Sequence, residues 1–98
     1  MSTNPPDADS VRHNAAASRY EIELDGHLAV AEYVLEGDGR MVFTHTFVPP
    51  ELRGRGLAEK LVRRALGDAG EQGRRVVPAC SYVAAFIARH AEFKALVA

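Results

Sequence analysis

From Arg19 to Asp25, apolar Tyr20, Ile22 and Leu24 alternate with Arg19, Glu21, Glu23 and Asp25. A period of two is the mark of a half-buried strand, with one face inward and one wet. Gly26 interrupts it, and His27 to Glu36 carries Leu28, Val30, Tyr33, Val34 and Leu35 as a second strand. Asp-Gly between two such segments suits a tight turn, so the pair predicts a hairpin. Gly37-Asp38-Gly39 marks another turn, and Arg40 to Val48 is rich in β-branched and aromatic residues that fit a pleated surface. Pro49-Pro50 ends that third strand, because proline has no N–H to give a ladder.

From Gly56 the period changes. Leu57, Leu61, Val62, Ala65, Leu66 and Ala69 fall on one stripe of a helix, with Glu59, Lys60, Arg63, Arg64 and Asp68 on the wet side. Gly70 and Gly73 offer a C-terminal stop. Arg74 to Ala79 contains Val76-Val77, a fourth strand, and a helical crossover places it parallel to the third. Ser81 to His90 reads as a second helix with Val83, Phe86 and Ile87 inward and Cys80 or Ser81 at its cap. Ala91 to Ala98 reads as a further short helical turn. The order β-β-β-α-β-α predicts an α+β domain, its sheet mostly antiparallel with one parallel pair around the first helix.

Composition narrows the class. Ninety-eight residues allow one domain. No apolar run approaches the ~20 residues of a membrane span, and 26% of the residues are charged. Met1 to Ser18, with Pro5, Pro6, Asp7 and Asp9, lacks the basic start and apolar stretch of a secretory signal. It reads as a poorly ordered polar tail, which places the domain at residues 19–98. The lone Cys80 has no partner for an internal disulfide, so the cytoplasm is the default compartment, and a monomer is expected. Four histidines and one cysteine show no metal-ligand spacing, so no metal is expected.

A net charge of −1 conceals an asymmetry: residues 1–52 hold nine acidic and three basic side chains, residues 53–75 three acidic and seven basic. A polyanionic partner would meet the middle segment. Nucleic acid is disfavoured, because no aromatics are interleaved with these arginines and the chain as a whole is acidic.

The segment that narrows the choice joins the third strand to the first helix: Arg53-Gly54-Arg55-Gly56-Leu57-Ala58. Glycines let a ligand oxygen approach the backbone N–H groups, and a helix start presents unpaired N–H groups at the positive end of its dipole. Arg53 and Arg55 add charge. Two glycines alone would be an ordinary turn; strand, prolines, arginines, glycines and helix in this order meet the requirements for cradling a pyrophosphate.

The same segment resembles the GNAT acetyltransferase pattern [Q/R]-x-x-G-x-[G/A], with Arg53, Gly56 and Ala58 in the matching places. Together with His45-Thr46, Val76-Val77-Pro78, Cys80-Ser81-Tyr82 and Arg89-His90, it is similar to the compact single-domain GNAT-like acetyltransferases with a P-x-C-S-Y motif. The resemblance runs from about Glu21 to Val97. It implies a minimal GNAT-like fold and acetyl-CoA as co-substrate, its pyrophosphate held by Arg53, Gly54, Arg55, Gly56, Leu57 and Ala58. It also implies a splayed strand end at Phe47 and Val48 along the pantetheine arm, with Tyr82 nearby. The two helices that follow the first strand of larger GNAT enzymes are missing here, which leaves the acceptor open and a low rate expected.

Candidates for chemistry are few. Cys80 precedes a helix, whose dipole favours thiolate; it reads either as a nucleophile that takes the acetyl group or as a small buried apolar residue. His45 reads either as a general base near the acetyl end or as a half-buried hydrogen-bonding residue. Strand parity does not show which face it occupies. Tyr82 reads as packing or as a proton donor to the leaving thiolate, Glu51 as a helix-start carboxylate or a base, and His90 as a helix-end residue. Two functions follow from the resemblance. One is acetyl transfer from acetyl-CoA to a small-molecule or protein amine; the other is a CoA-binding module with little transferase activity.

Overall fold

In the computed structural model, which describes residues 11–98, Asp25 and Gly26 take φ of 54° and 77°. Positive φ at both central residues is the hairpin geometry that Asp-Gly favours. The turn sets β2 (Arg19–Leu24) against β3 (His27–Leu35) in the register Leu24↔His27 through Arg19↔Glu32. β4 (Met41–Phe47) adds antiparallel to β3, and β5 (Val76–Pro78) adds parallel to β4. Between them runs α1 (Leu57–Glu71), and α2 (Ser81–Arg89) follows β5. The result is the expected α+β domain with a mostly antiparallel sheet and one parallel pair.

The sheet has a fifth strand that the hydrophobic pattern did not reveal. Residues 12–17, assigned from the sequence to a poorly ordered tail, are part of the fold: β1 (Arg12–Asn14) pairs antiparallel with β2, and Ala15–Ala17 form a 3₁₀ turn closed by Ser18 at φ 55°. Residues 1–10 of that expected tail lie outside the described residues. Polar side chains hold β1 in place of apolar alternation. The carboxylate of Glu21, 2% exposed, accepts from Arg12 Nη2 at 2.6 Å and Nε at 3.1 Å, from Asn14 Nδ2 at 2.9 Å and from Arg19 Nε at 2.6 Å. On the other face His13 stacks on Tyr20 at 4.2 Å between centroids and lies 2.7 Å from the Tyr33 hydroxyl.

The donors from Arg12, Arg19 and Asn14 hold the Glu21 carboxyl at about 2, below its ordinary 4.5. A depressed carboxyl contributes stability that is present above its unfolded value and lost as pH falls through the folded one. The domain is therefore expected to lose about 1–2 kcal/mol between pH 4.5 and 2 through this group, an amount reduced by screening at the exposed Arg12. Glu21→Gln should be less stable than the parent at pH 7 and flatter in that window, as read by urea unfolding across pH.

Below the sheet, Leu57, Leu61, Val62, Ala65, Leu66 and Ala69 of α1 are all buried against Tyr20, Ile22, Ala29, Ala31, Tyr33, Met41 and Phe43. This is the stripe the sequence prescribes. α1 ends in a Schellman motif, with Arg74 N–H on the Ala69 carbonyl, Gly73 N–H on the Gly70 carbonyl and Gly73 at φ 69°. α2 buries Val83, Phe86 and Ile87, as expected. Ala91–Leu96 forms a 3₁₀ turn, after which Val97 bridges Val76 in parallel and Ala98 N–H donates to the Val76 carbonyl at 2.9 Å. Among the described residues no helix is long and apolar enough to cross a membrane.

Candidate active site

After β4 the chain passes Val48 and Pro49 into a 3₁₀ turn, Pro50–Leu52, that drives Leu52 fully into the core. Leu52 thereby anchors the loop that follows. Arg53 closes it from the other side: its N–H donates to the Pro50 carbonyl at 3.3 Å and its Nε to the Val48 carbonyl at 3.1 Å. Gly54 and Gly56 stand at φ 85° and 73°, a conformation that side chains with a Cβ resist. Among the described residues, a Cβ on either would meet no atom within 4 Å, so the space in front of both is open to them. Gly56 caps α1, and the first intrahelical bond runs from Lys60 N–H to its carbonyl at 3.2 Å. The N–H groups of Leu57, Ala58 and Glu59 have no partner within the helix.

These groups border a cleft of about 270 Å³ lined by Val48, Leu52, Arg53, Gly54, Gly56, Leu57, Ala58, Glu59 and Tyr82. Seven of them were expected from the sequence; Leu52 and Glu59 were not. The signal for Leu52 was an apolar residue between prolines and arginines. Glu59 gave none beyond its place on the wet side of the helix. Its carboxylate accepts from Arg63 Nη2 at 2.9 Å, which holds the carboxyl below its ordinary value. Arg55, an expected lining residue, instead reaches the β2–β3 turn, with Nη1 3.3 Å from Asp25 Oδ2. Tyr82 is half-buried against Phe86, and burial raises its phenol. Glu51 is exposed and lies 3.8 Å from His27.

Beyond the cleft, β4 and β5 part. Their parallel register covers only Met41↔Val76, Val42↔Val77 and Phe43↔Pro78. Cys80 N–H then donates to the Phe43 carbonyl at 2.8 Å, and among the described residues the rest of β4 has no ladder on that side. The half-exposed Cys80 is the cap residue of α2, and its Sγ lies 3.5 Å from Thr46 Oγ1. Burial raises the thiol, but the Thr46 hydroxyl and the N–H groups of Val83, Tyr82 and Thr46 outweigh it, so the thiol lies below its ordinary value.

His45 does not share that position. Its ring stacks on Phe47 at 6.3 Å between centroids and both are exposed, on the face opposite Thr46. Phe47, expected beside Val48, is thus turned away from the cleft lining. His90 sits at the end of α2, stacked on Phe86 with Nδ1 2.8 Å from the Phe86 carbonyl, as a helix-end residue.

A family model described as GCN5-related N-acetyl-transferase matches residues 19–96, most of the chain. The chain belongs to that family. The match begins at the first residue of β2, so Glu21 and Arg19 fall inside it, while the edge strand β1, with Arg12 and Asn14, lies outside the matched region. The glycine loop, the parting strands and the Cys80–Thr46 pair all lie inside it.

Proposed function

We propose that the protein transfers an acetyl group from acetyl-CoA to an amine. The observation that carries this reading is one arrangement: two glycines of positive φ opening onto the start of α1, in a cleft continuous in sequence with strands that part at Cys80. The residues suit the co-substrate. The N–H groups of the loop and of α1 would receive the pyrophosphate, with Arg53 adding charge. A volume of about 270 Å³ is below the usual range for a whole drug-sized ligand, so it suits the pyrophosphate and its neighbouring atoms, with the pantetheine arm running on along β4.

Two routes share these residues. In the direct one the amine attacks the thioester carbonyl, loses its proton to solvent or a base, and CoA leaves as a thiolate. Binding then contributes chiefly orientation. In the covalent one the Cys80 thiolate attacks first, forming a Cys80 thioester and expelling CoA thiolate, and the amine attacks that thioester to restore Cys80. The lowered thiol favours the second. A second reading, a CoA-binding module with slight activity, draws support from the connections of the sheet. β1 and β2 are joined by one 3₁₀ turn and β2 and β3 by a tight hairpin, so neither connection supplies acceptor-side helices.

Mass spectrometry after mixing with acetyl-CoA, native and denatured, tests both steps. The native spectrum should show one bound molecule, and the denatured spectrum a single acetyl group on Cys80 that an amine panel removes. Titration calorimetry should give micromolar affinity, about −8 kcal/mol, weakened by salt. No heat and no thermal shift in excess CoA would overturn the proposal; binding without turnover would favour the module.

A further inference from the structure

β4 contains one residue too many for its partner. β3 and β4 pair as Val30↔Phe47, Ala31↔Thr46 and Glu32↔His45, and then as Tyr33↔Phe43, which leaves Thr44 unpaired as a bulge. A bulge shifts the side-chain alternation by one. Met41 and Phe43 face the core; without the bulge His45 would continue on their side. With it, Thr46 takes that side, opposite buried Ala31, and its Oγ1 comes 3.5 Å from Cys80 Sγ.

Cys80 is brought there by an independent contact, its own N–H on the Phe43 carbonyl. The two residues therefore meet through the backbone of β4 and the end of β5, not through side-chain packing alone. A hydroxyl can donate or accept, whereas a thiolate can only accept, so in the ionised state Thr46 must be the donor. Hydrogen bonds to an ionised partner are the stronger kind. The other leading donors are backbone N–H groups, and no charged neighbour ranks among the leading influences on the thiol. Of the ionisable side chains on the surrounding elements, His45 faces away with Phe47, Glu59 is engaged by Arg63, His90 by the Phe86 carbonyl, and Tyr82 carries a raised phenol. Arg89 at the far end of α2 is exposed.

We propose that Thr46 is a positioning residue for Cys80: its hydroxyl donates to the ionised sulfur and holds it at the gap between β4 and the start of α2. This rests on the reading of Cys80 as a nucleophile, but its test does not need acetyl transfer. The rate of Cys80 alkylation by iodoacetamide is measured against pH in the ligand-free protein, for the parent, Thr46→Val and Thr46→Ser. Valine keeps the shape and removes the hydroxyl; serine keeps the hydroxyl. Thr46→Val should move the midpoint of the profile upward by about 0.5–1 pH unit, lowering the rate at pH 7 by roughly 3–10-fold and leaving the high-pH plateau unchanged. Thr46→Ser should stay within about twofold of the parent throughout. Thermal melts verify that each variant is folded, and should Thr46→Val fail to fold, Thr46→Ala takes its place. A hydroxyl-free variant whose profile coincides with the parent's overturns the proposal, as does a serine variant as impaired as valine. CoA affinity is measured on the same proteins. A loss of affinity in Thr46→Val with an unmoved alkylation profile would assign Thr46 to ligand contact instead. Failure of the functional reading would show as absent CoA binding in the parent itself, a result separate from the alkylation profiles.

Discussion

Gly56→Val is expected to abolish measurable CoA binding, a loss of at least about 100-fold or ~2.7 kcal/mol, while the domain stays folded. Gly56 stands at φ 73°, where a β-branched residue is strained, so the variant either distorts the loop or projects its side chain into the open space in front of it. Each outcome removes an approach to the N–H groups at the start of α1. The strain itself costs on the order of 1–2 kcal/mol, a tolerable part of the ~5–15 kcal/mol typical of a domain. Gly73→Val is the control. Gly73 has φ 69°, no atom of the described residues within 4 Å of its would-be Cβ, and lies at the other end of α1. It should lose similar stability and retain CoA affinity. Calorimetry on both variants separates strain from ligand exclusion, and unchanged affinity in a folded Gly56→Val protein would move the pyrophosphate elsewhere.

Cys80→Ser should reduce acetyl transfer on the order of 10²-fold or more with CoA affinity unchanged. The hydroxyl of serine occupies nearly the same space but stays un-ionised near neutral pH, so shape survives and nucleophilicity does not. Donors from Thr46 and the start of α2 lower the parent thiol, so Cys80 should react with iodoacetamide faster at pH 7 than an ordinary free thiol, and CoA should slow the reaction. The linkage has a definite sign. A thiol lowered by folding releases its proton at lower pH in the native state, so alkylation should rise with pH at an earlier point than in the unfolded chain. Slow alkylation together with a fully active Cys80→Ser protein would eliminate the covalent route and leave direct attack by the amine.

Local chemistry determined much of this protein without help from the fold. Asp25-Gly26 prescribes its own hairpin, because few residues accept two consecutive positive φ values. The α1 stripe is buried residue for residue as its spacing dictates, since a helix has one apolar face and one place to put it. Gly54 and Gly56 announced a backbone-lined cleft because their conformation and the helix start are both local.

Tertiary structure decided the rest. β1 escaped the pattern because Arg12-His13-Asn14 has no apolar alternation; its pairing depends on a carboxylate nine residues away, Glu21, that gathers three side-chain partners. Arg55 belongs to the loop by position, yet the β2–β3 turn draws it to Asp25, a contact thirty residues distant. The identity of the residue facing Cys80 turned on the Thr44 bulge. Sequence alternation is blind to an unpaired residue, because the slip exists only relative to a partner strand. That single extra residue sends His45 to the exposed face beside Phe47 and delivers Thr46 to the thiol.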